Sequence, residues 1–194
     1  QELFNTHWFP FEINNAHMEM AEDINGKTIL AIRKAAKDSG IAVIAPFFER
    51  NADTFYNSAA AIGSDGELIG VYRKAHIPHI PLYEERHYFT PGNLGFPVFD
   101  IDMAKIGVQI GWDNLFPEGA RILALKGAQI ILSPTAAAST ASRPTWEKSL
   151  SANAIANGIY IFRVNRVGKE KRHEFYGGSF CVIAEGDMVG SPSG

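Results

Sequence analysis

Strand-like and helical patterns alternate along this chain, and that alternation restricts its fold more than any other feature of the sequence. Short apolar runs rich in strand-forming residues are separated by stretches in which apolar residues recur at helical spacing. The pattern therefore predicts an α/β chain. In chain order it predicts a helix at 26–39, a strand at 41–48, a helix at 117–127, a strand at 129–134, a helix at 144–157, and strands at 159–166 and 177–184.

Two further strand pairs are predicted to be hairpins. Runs 55–62 and 67–73 flank a Ser-Asp-Gly turn, and runs 96–101 and 105–110 are separated by only three residues. Because hairpins join antiparallel strands, a purely parallel doubly wound sheet is disfavoured. We therefore expect mixed sheets in which strands outnumber helices.

Composition limits the class of protein further. The chain has 194 residues, of which 46% are hydrophobic, so it suits one domain, 1–194, and is too short for two ordinary ones. A net charge of −3 gives no basic field for nucleic acid. The single cysteine, Cys181, excludes an internal disulfide and suits a reducing compartment. No apolar run approaches the ~18 residues of a membrane span, so we expect a cytoplasmic protein with no membrane partner.

Four segments carry residues with potential chemistry: QELF (1–4), VYRKAHIP (71–78), EERHYFTPG (84–92) and KIGVQIGWDNLFPEGAR (105–121). Taken alone, an acid, a lysine or a glycine in such a segment is more often structural than catalytic. In this order and at these intervals, however, the segments resemble the nitrilase superfamily of carbon–nitrogen hydrolases, and most closely its N-carbamoylputrescine amidase branch. The resemblance extends over essentially the whole chain.

The resemblance implies a fold and a set of catalytic positions. The implied fold is an α-β-β-α sandwich, of the α+β type, with two mixed sheets packed face to face and helices outside. We expect this chain to be truncated at both ends, since 190–194 is loop-like and the strand pattern at Glu2 has no beginning. The catalytic positions implied by the motifs are Glu2, Lys74, Glu85 and position 111, where the family has its nucleophilic cysteine.

The chemistry explains why the family uses these residue types. A thiol attacks an amide or ureido carbon only as a thiolate, so a neighbouring base, here Glu2, must take its proton. By resemblance, Lys74 and the N–H of Trp112 would stabilise the oxyanion, and Glu2 would then protonate the leaving ammonia and activate water. Asp113 and Asn114, beside the nucleophile position, are expected with Trp112 to contact the substrate. The family uses neither a cofactor nor a metal.

This chain departs from the family pattern at the nucleophile. Position 111 is Gly111, and no serine or cysteine adjoins it. Cys181 lies in a predicted strand, where a lone cysteine is usually a small buried hydrophobe. We therefore expect the chain as written to be inactive. A deliberate inactivating substitution, a natural pseudoenzyme and a sequence error all explain Gly111, and the retained Glu2, Lys74 and Glu85 favour the first and the third.

The motif after position 111 also indicates the substrate class. Relatives that hydrolyse N-carbamoyl amino acids place arginines there to bind the substrate carboxylate, whereas this chain has Asn114 and Leu115. A small amine or neutral substrate such as N-carbamoylputrescine is therefore expected. Two alternatives stay open: a non-catalytic scaffold with the same fold, and an ω-amidase or aliphatic amidase.

A second copy of the chain is the expected macromolecular partner. The family pairs through the helices equivalent to 117–127 and 144–157, which predicts a homodimer or a larger homo-oligomer with Trp146 and Leu150 in the contact. His76, His79 and His87 cluster in sequence near Lys74, but they lack the accompanying carboxylate or cysteine ligands of a metal site. We attribute them to local packing.

Overall fold

The computed structural model describes residues 1–101 and 103–190, which form two compact units. The N-terminal unit comprises Leu3–Gly95 and Phe99–Met103. Within the described residues, the C-terminal unit comprises 104–190 together with Gln1–Glu2 and Phe96–Val98. No helix among the described residues is long and apolar enough to span a bilayer.

The N-terminal unit is built on an antiparallel sheet of three strands in the order β1-β2-β3. Both of its turns are tight, and the β2–β3 turn confirms the predicted Ser-Asp-Gly hairpin. The β1–β2 hairpin was not predicted, because its turn, which includes Ala52 at a φ of 52°, has no glycine. The unit's elements are two 3-10 helices (Phe9–Phe11 and Asn15–Met20), α1 (Lys27–Ser39), β1 (Val43–Asn51), β2 (Thr54–Ile62), β3 (Leu68–Arg73) and α2 (Glu85–Tyr88).

Helix α1 covers this sheet with one apolar face. Its first turn is capped by the Glu22 carboxylate, which accepts hydrogen bonds from the Thr28 N–H at 2.8 Å and the Thr28 hydroxyl at 2.6 Å. Its last turn ends at Gly40 in the left-handed conformation, as predicted. Ile29 and Ala36 then pack against strand residues that include Phe47.

The second sheet has six strands in the order β11-β10-β7-β6-β5-β4. Strands β5, β6 and β7 run parallel, whereas β10 pairs antiparallel with both β7 and β11, so the predicted mixed sheet is confirmed. The strands are β4 (Val98–Ile101), β5 (Ala104–Val108), β6 (Ile130–Thr135), β7 (Tyr160–Asn165), β10 (Phe180–Val182) and β11 (Met188–Val189).

The remaining elements of this part of the chain include two helices and a separate small hairpin. Helices α3 and α4 match the predicted helices, and α4 ends at a left-handed Gly158. The pair β8–β9 was not predicted, because its charged sequence has no apolar alternation. The predicted turn between β4 and β5 includes Asp102, which lies outside the described residues. The elements are 3-10 helices Gly111–Leu115 and Thr140–Ser142, α3 (Pro117–Leu125), α4 (Arg143–Asn157), β8 (Val167–Glu170) and β9 (His173–Tyr176).

The prediction that Trp146 and Leu150 of α4 lie in a dimer contact is wrong. Trp146 is 7% exposed and Leu150 is fully buried within this single chain. Leu150 belongs to the core between α4 and the six-stranded sheet, and the Arg163 guanidinium lies over the Trp146 ring at 5.1 Å. An apolar helix face has the same sequence pattern whether its own sheet or a second subunit covers it. The exposed large apolar side chains of α3 and α4 are Ile122, Leu125 and Ile155.

Candidate active site

Gly111 lies three residues after the end of β5, at the start of a 3-10 helix, and the Glu2 carboxylate faces it. Its φ of +48° is a left-handed conformation that strains any other residue. A Cβ at this position would lie 2.6 Å from Glu2 Oε2 and 3.1 Å from Glu2 Oε1. The structure therefore brings Glu2, predicted as the base, next to the position predicted for the nucleophile.

The Glu2 side chain is buried, and a hydrogen bond to its main-chain carbonyl holds the residue in place. It is 2% exposed, and its carbonyl oxygen accepts a hydrogen bond from Arg166 Nη2 at 3.2 Å. Arg166 is itself buried, forms an ion pair with Glu170 and lies over the Phe175 ring at 5.6 Å. Arg166 was not among the predicted site residues. Its only signal was its place in the VNRVG segment, which carries the family resemblance without indicating a role.

The 3-10 helix after Gly111 is fixed by its own side chains. Asp113 Oδ2 accepts a hydrogen bond from the Ile110 N–H at 3.0 Å. Asn114 Nδ2 donates to the carbonyl oxygens of Gly111 at 2.9 Å and Gln109 at 3.1 Å. Asp113 and Asn114 are fully buried, whereas Trp112 is only partly buried. Of the three residues predicted to contact substrate, Asp113 and Asn114 thus have side chains that bind the loop itself.

Lys74 and Glu85 form a buried ion pair in the N-terminal unit. Lys74 Nζ lies 2.7 Å from Glu85 Oε2, and the two side chains are 1% and 2% exposed. Lys74 directly follows β3, where its N–H donates to Asn57 O at 2.8 Å and its carbonyl accepts from the Gly92 N–H at 2.8 Å. Glu85 begins α2. The ion pair and the main-chain hydrogen bonds fix the position of Lys74 within the N-terminal unit.

A second buried ion pair supports the end of β3. Arg73 donates to both carboxylate oxygens of Glu49, at 2.8 Å and 2.6 Å, and Ser58 Oγ donates to the same carboxylate. Arg73 also donates to Asn93 Oδ1 at 2.8 Å. The hydrogen bond that Arg73 donates to Glu49 raises the pKa of Arg73. Glu49 was not predicted, since it lies on β1 and nothing local in the sequence connects it with Arg73.

The histidines and the cysteine have separate surroundings. His87 Nε2 lies 2.9 Å from Asn15 Oδ1, and His79 is largely exposed. Among residues 1–101 and 103–190, no three metal-binding side chains gather at one point. Cys181 lies in β10 opposite Phe162, and burial raises the pKa of its thiol, which disfavours the thiolate.

Comparison with known proteins identifies the family. The sequence profile described as Carbon-nitrogen hydrolase matches residues 1–193. This chain is a member of the carbon–nitrogen hydrolase family. A citrullinase of Francisella tularensis is 39% identical over 97% of the chain and 70% of its own length. An N-carbamoylputrescine amidase of Solanum lycopersicum is likewise 39% identical, over 97% of the chain and 68% of its own length.

Solved structures agree with this assignment. A carbon–nitrogen hydrolase from Helicobacter pylori superimposes with a TM-score of 0.95 at 34% identity, covering all of this chain and 72% of that protein. A mutant Nesterenkonia amidase, with acrylamide added at its active-site cysteine, superimposes with a TM-score of 0.84 at 27% identity, covering 98% and 72%. The predicted nitrilase-superfamily fold is thereby confirmed. This carbon–nitrogen hydrolase chain spans about 70% of these relatives' length.

Proposed function

We propose that this site belongs to a hydrolase acting on the ureido C–N bond of an N-carbamoyl amine, and that the chain with Gly111 does not turn over. The observation that carries the proposal is the Glu2 carboxylate, whose oxygens lie 2.6 Å and 3.1 Å from the Cβ position of residue 111. The shorter distance is too close for a real Cβ, so the Glu2 side chain must shift slightly, after which its carboxylate adjoins a thiol at this position and can accept its proton. Glycine supplies no thiol, so the covalent route is closed.

With a cysteine at position 111, the proposed reaction proceeds in two stages. Glu2 takes the thiol proton, and the thiolate adds to the ureido carbon to give a tetrahedral oxyanion. The family resemblance assigns stabilisation of the oxyanion to the Lys74 ammonium and the Trp112 N–H. When the C–N bond breaks, Glu2 returns the proton to the departing ammonia. Water, deprotonated by Glu2, then cleaves the remaining S-carbamoyl (thiocarbamate) group, which restores the thiol and releases a carbamic acid that breaks down to carbon dioxide and the free amine.

Glu85 has a supporting role in this proposal. Its carboxylate lies 2.7 Å from the Lys74 nitrogen, in surroundings that leave Glu85 2% exposed. A carboxylate so close favours the charged form of a buried amine. Lys74 would therefore stay cationic through the reaction. Replacing Lys74 with methionine in a Gly111→Cys protein should abolish the restored activity.

The substrate tail is proposed to be an amine without a carboxylate. Asn114 and Leu115 supply no guanidinium after position 111, although arginine is the usual bidentate partner of a carboxylate. The relatives' names, N-carbamoylputrescine amidase and citrullinase, refer to compounds that share a terminal ureido group. Citrulline differs from N-carbamoylputrescine only by its α-carboxylate. The two compounds therefore form a matched pair for testing the tail.

Two other functions rest on separate observations. Gly111 itself favours a non-catalytic protein that retains the fold. The likeness to an amidase solved with butyramide favours a simple amidase.

Ammonia release by Gly111→Cys from N-carbamoylputrescine, citrulline and butyramide distinguishes these two functions from the proposed one. Turnover of N-carbamoylputrescine well above the other two supports the proposal. Preference for citrulline or butyramide overturns the proposed tail, and no turnover of any compound favours the scaffold.

A further inference from the structure

Helix α4 holds the loop after Gly111 through two polar side chains. Ser149 Oγ donates to the carbonyl oxygen of Asn114 at 2.7 Å, and Asn153 Nδ2 donates to the same oxygen at 3.2 Å. The two residues are four positions apart, so they lie on one face of the helix. Asn153 is 5% exposed, and buried polar groups of this kind are costly unless they are bonded. The main chain of Asn114 is thus fixed to α4.

The side chain of Asn114 carries this constraint back to residue 111. Its Nδ2 donates to Gly111 O at 2.9 Å and to Gln109 O at 3.1 Å. Both partners are carbonyl oxygens, so the amide nitrogen must be the atom that faces them. Asn114 is fully buried and this nitrogen is engaged twice within the loop. A substrate contact through Asn114 Nδ2 is therefore disfavoured.

The carbonyl that Asn114 holds belongs to the same peptide group as the N–H of Trp112. That group is planar and trans, so its C=O and N–H point in opposite directions. A bond that fixes Gly111 O therefore also fixes the direction of the Trp112 N–H. It also polarises that N–H, because hydrogen bonds in a chain strengthen one another.

We propose that Asn114 is a positioning residue that aims the Trp112 N–H at the oxyanion, with Ser149 and Asn153 fixing Asn114 to helix α4. Its catalytic meaning rests on the proposed function, in which the Trp112 N–H stabilises the oxyanion. Its structural part, that Asn114 transmits the position of α4 to residue 111, holds whether or not the chain catalyses anything.

The first test uses the chain as it is. Hydrogen exchange is measured at the Ile110 and Asp113 amides, which are bonded within the loop. Asn114→Ala should speed exchange at both amides by about fivefold, the effect of losing roughly 1 kcal/mol of local hydrogen bonding. Amides in β6 should keep their rates. Unchanged loop exchange, or equal acceleration in β6, overturns the proposal.

Two further variants keep this test decisive if Asn114→Ala does not fold. The double variant Ser149→Ala/Asn153→Ala removes the helix end of the same connection and should change loop exchange in the same direction. Ser151→Ala, on the same helix but without these bonds to Asn114, is the matched control. If the double variant behaves like Ser151→Ala, the connection from α4 to residue 111 is refuted.

The second test measures turnover in a Gly111→Cys background. Removing an oxyanion donor lowers kcat by about 10²- to 10³-fold, so misaiming one through Asn114→Ala should lower kcat by about tenfold or more with little change in KM. A raised KM with unchanged kcat would instead assign Asn114 to substrate binding and overturn the inference. If Gly111→Cys alone shows no turnover, the proposed function fails, while the exchange experiment still decides whether Asn114 fixes the loop.

Discussion

The carboxylate of Glu2 lies against the main chain of Gly111, 2.6 Å from the point where a side chain would begin. Because the contact is made by the end of a flexible side chain, a cysteine at position 111 can be accommodated by a small movement of Glu2. The left-handed backbone would still strain any non-glycine residue. A nucleophile at this position would therefore be introduced at some cost in stability.

The Lys74–Glu85 pair gives a stability prediction that does not depend on activity. Removing one member of a buried ion pair leaves a buried charge without its main partner, which costs about 3–5 kcal/mol. Lys74→Met should therefore lower the free energy of unfolding strongly, and Lys74→Met/Glu85→Leu should recover most of the loss. Urea denaturation measures both.

The matched control for this pair lies on the surface. Lys34 and Asp38 also form an ion pair, but their side chains are 77% and 57% exposed. Solvent screens such a pair, so Lys34→Met should change the free energy of unfolding little. Equal effects of Lys34→Met and Lys74→Met would contradict the burial of the Lys74–Glu85 pair.

His173 predicts how stability changes with pH. Burial lowers the pKa of His173 from its ordinary value of 6.5; Glu170 opposes this effect and Arg172 adds to it. As the pH falls below 6.5, the unfolded chain takes up a proton that the folded chain binds less readily. The stability contributed by the neutral ring is therefore present above pH 6.5 and is lost on acidification.

The experiment for His173 compares two histidine variants. Urea denaturation between about pH 7.5 and about pH 5 should show a smaller loss of stability for His173→Gln than for the parent chain. His79→Gln, at an exposed histidine whose ring lies 3.8 Å from Glu84, is the control for loss of an imidazole outside the buried site. A His173→Gln profile parallel to the parent's would count against the neutral buried ring.

Cys181 predicts the thiol reactivity of the chain. Its raised pKa leaves little thiolate at neutral pH, so iodoacetamide should modify it slowly. Gly111→Cys should add a second thiol that reacts faster, since Glu2 can accept its proton. Mass spectrometry after timed alkylation distinguishes the two sites, and Cys181→Ser should leave the rate at the thiol introduced at position 111 unchanged. Faster modification of Cys181 would point to it as the activated thiol.

Elements with strong local patterns could be predicted from the sequence. Helix α1 and its stop at Gly40 follow from apolar spacing and the left-handed preference of glycine. The β8–β9 hairpin could not, because residues 167–176 are mostly polar and its turn includes Lys171 at a φ of 45°. The sequence also could not predict what covers the apolar face of α4, because Leu150 packs in a core formed by strands that are distant in sequence.

The residues of the candidate site also include some that the sequence indicated and some that it could not. The motifs singled out Glu2 and position 111 because a known family carries them in that order. Arg166, which bonds the main chain of Glu2, is 164 positions away, and no local pattern connects such residues. Asn114 was predicted to contact substrate from its place beside the nucleophile position. That contact stays a prediction, while its amide nitrogen binds the carbonyls of Gln109 and Gly111, a contact that depends on how the loop folds back.

The most direct test of the proposed chemistry is ammonia release from N-carbamoylputrescine by four matched proteins: the Gly111 chain, Gly111→Ala, Gly111→Ser and Gly111→Cys. Alanine adds the Cβ without a nucleophile, and serine adds a weaker nucleophile than cysteine. The series therefore distinguishes the effect of a side chain on the strained backbone from the effect of the nucleophile. We expect only Gly111→Cys to turn over substantially, roughly 10³-fold or more above the Gly111 chain. Comparable ammonia release by the Gly111 chain and Gly111→Cys would contradict the assignment of position 111 as the site of the nucleophile.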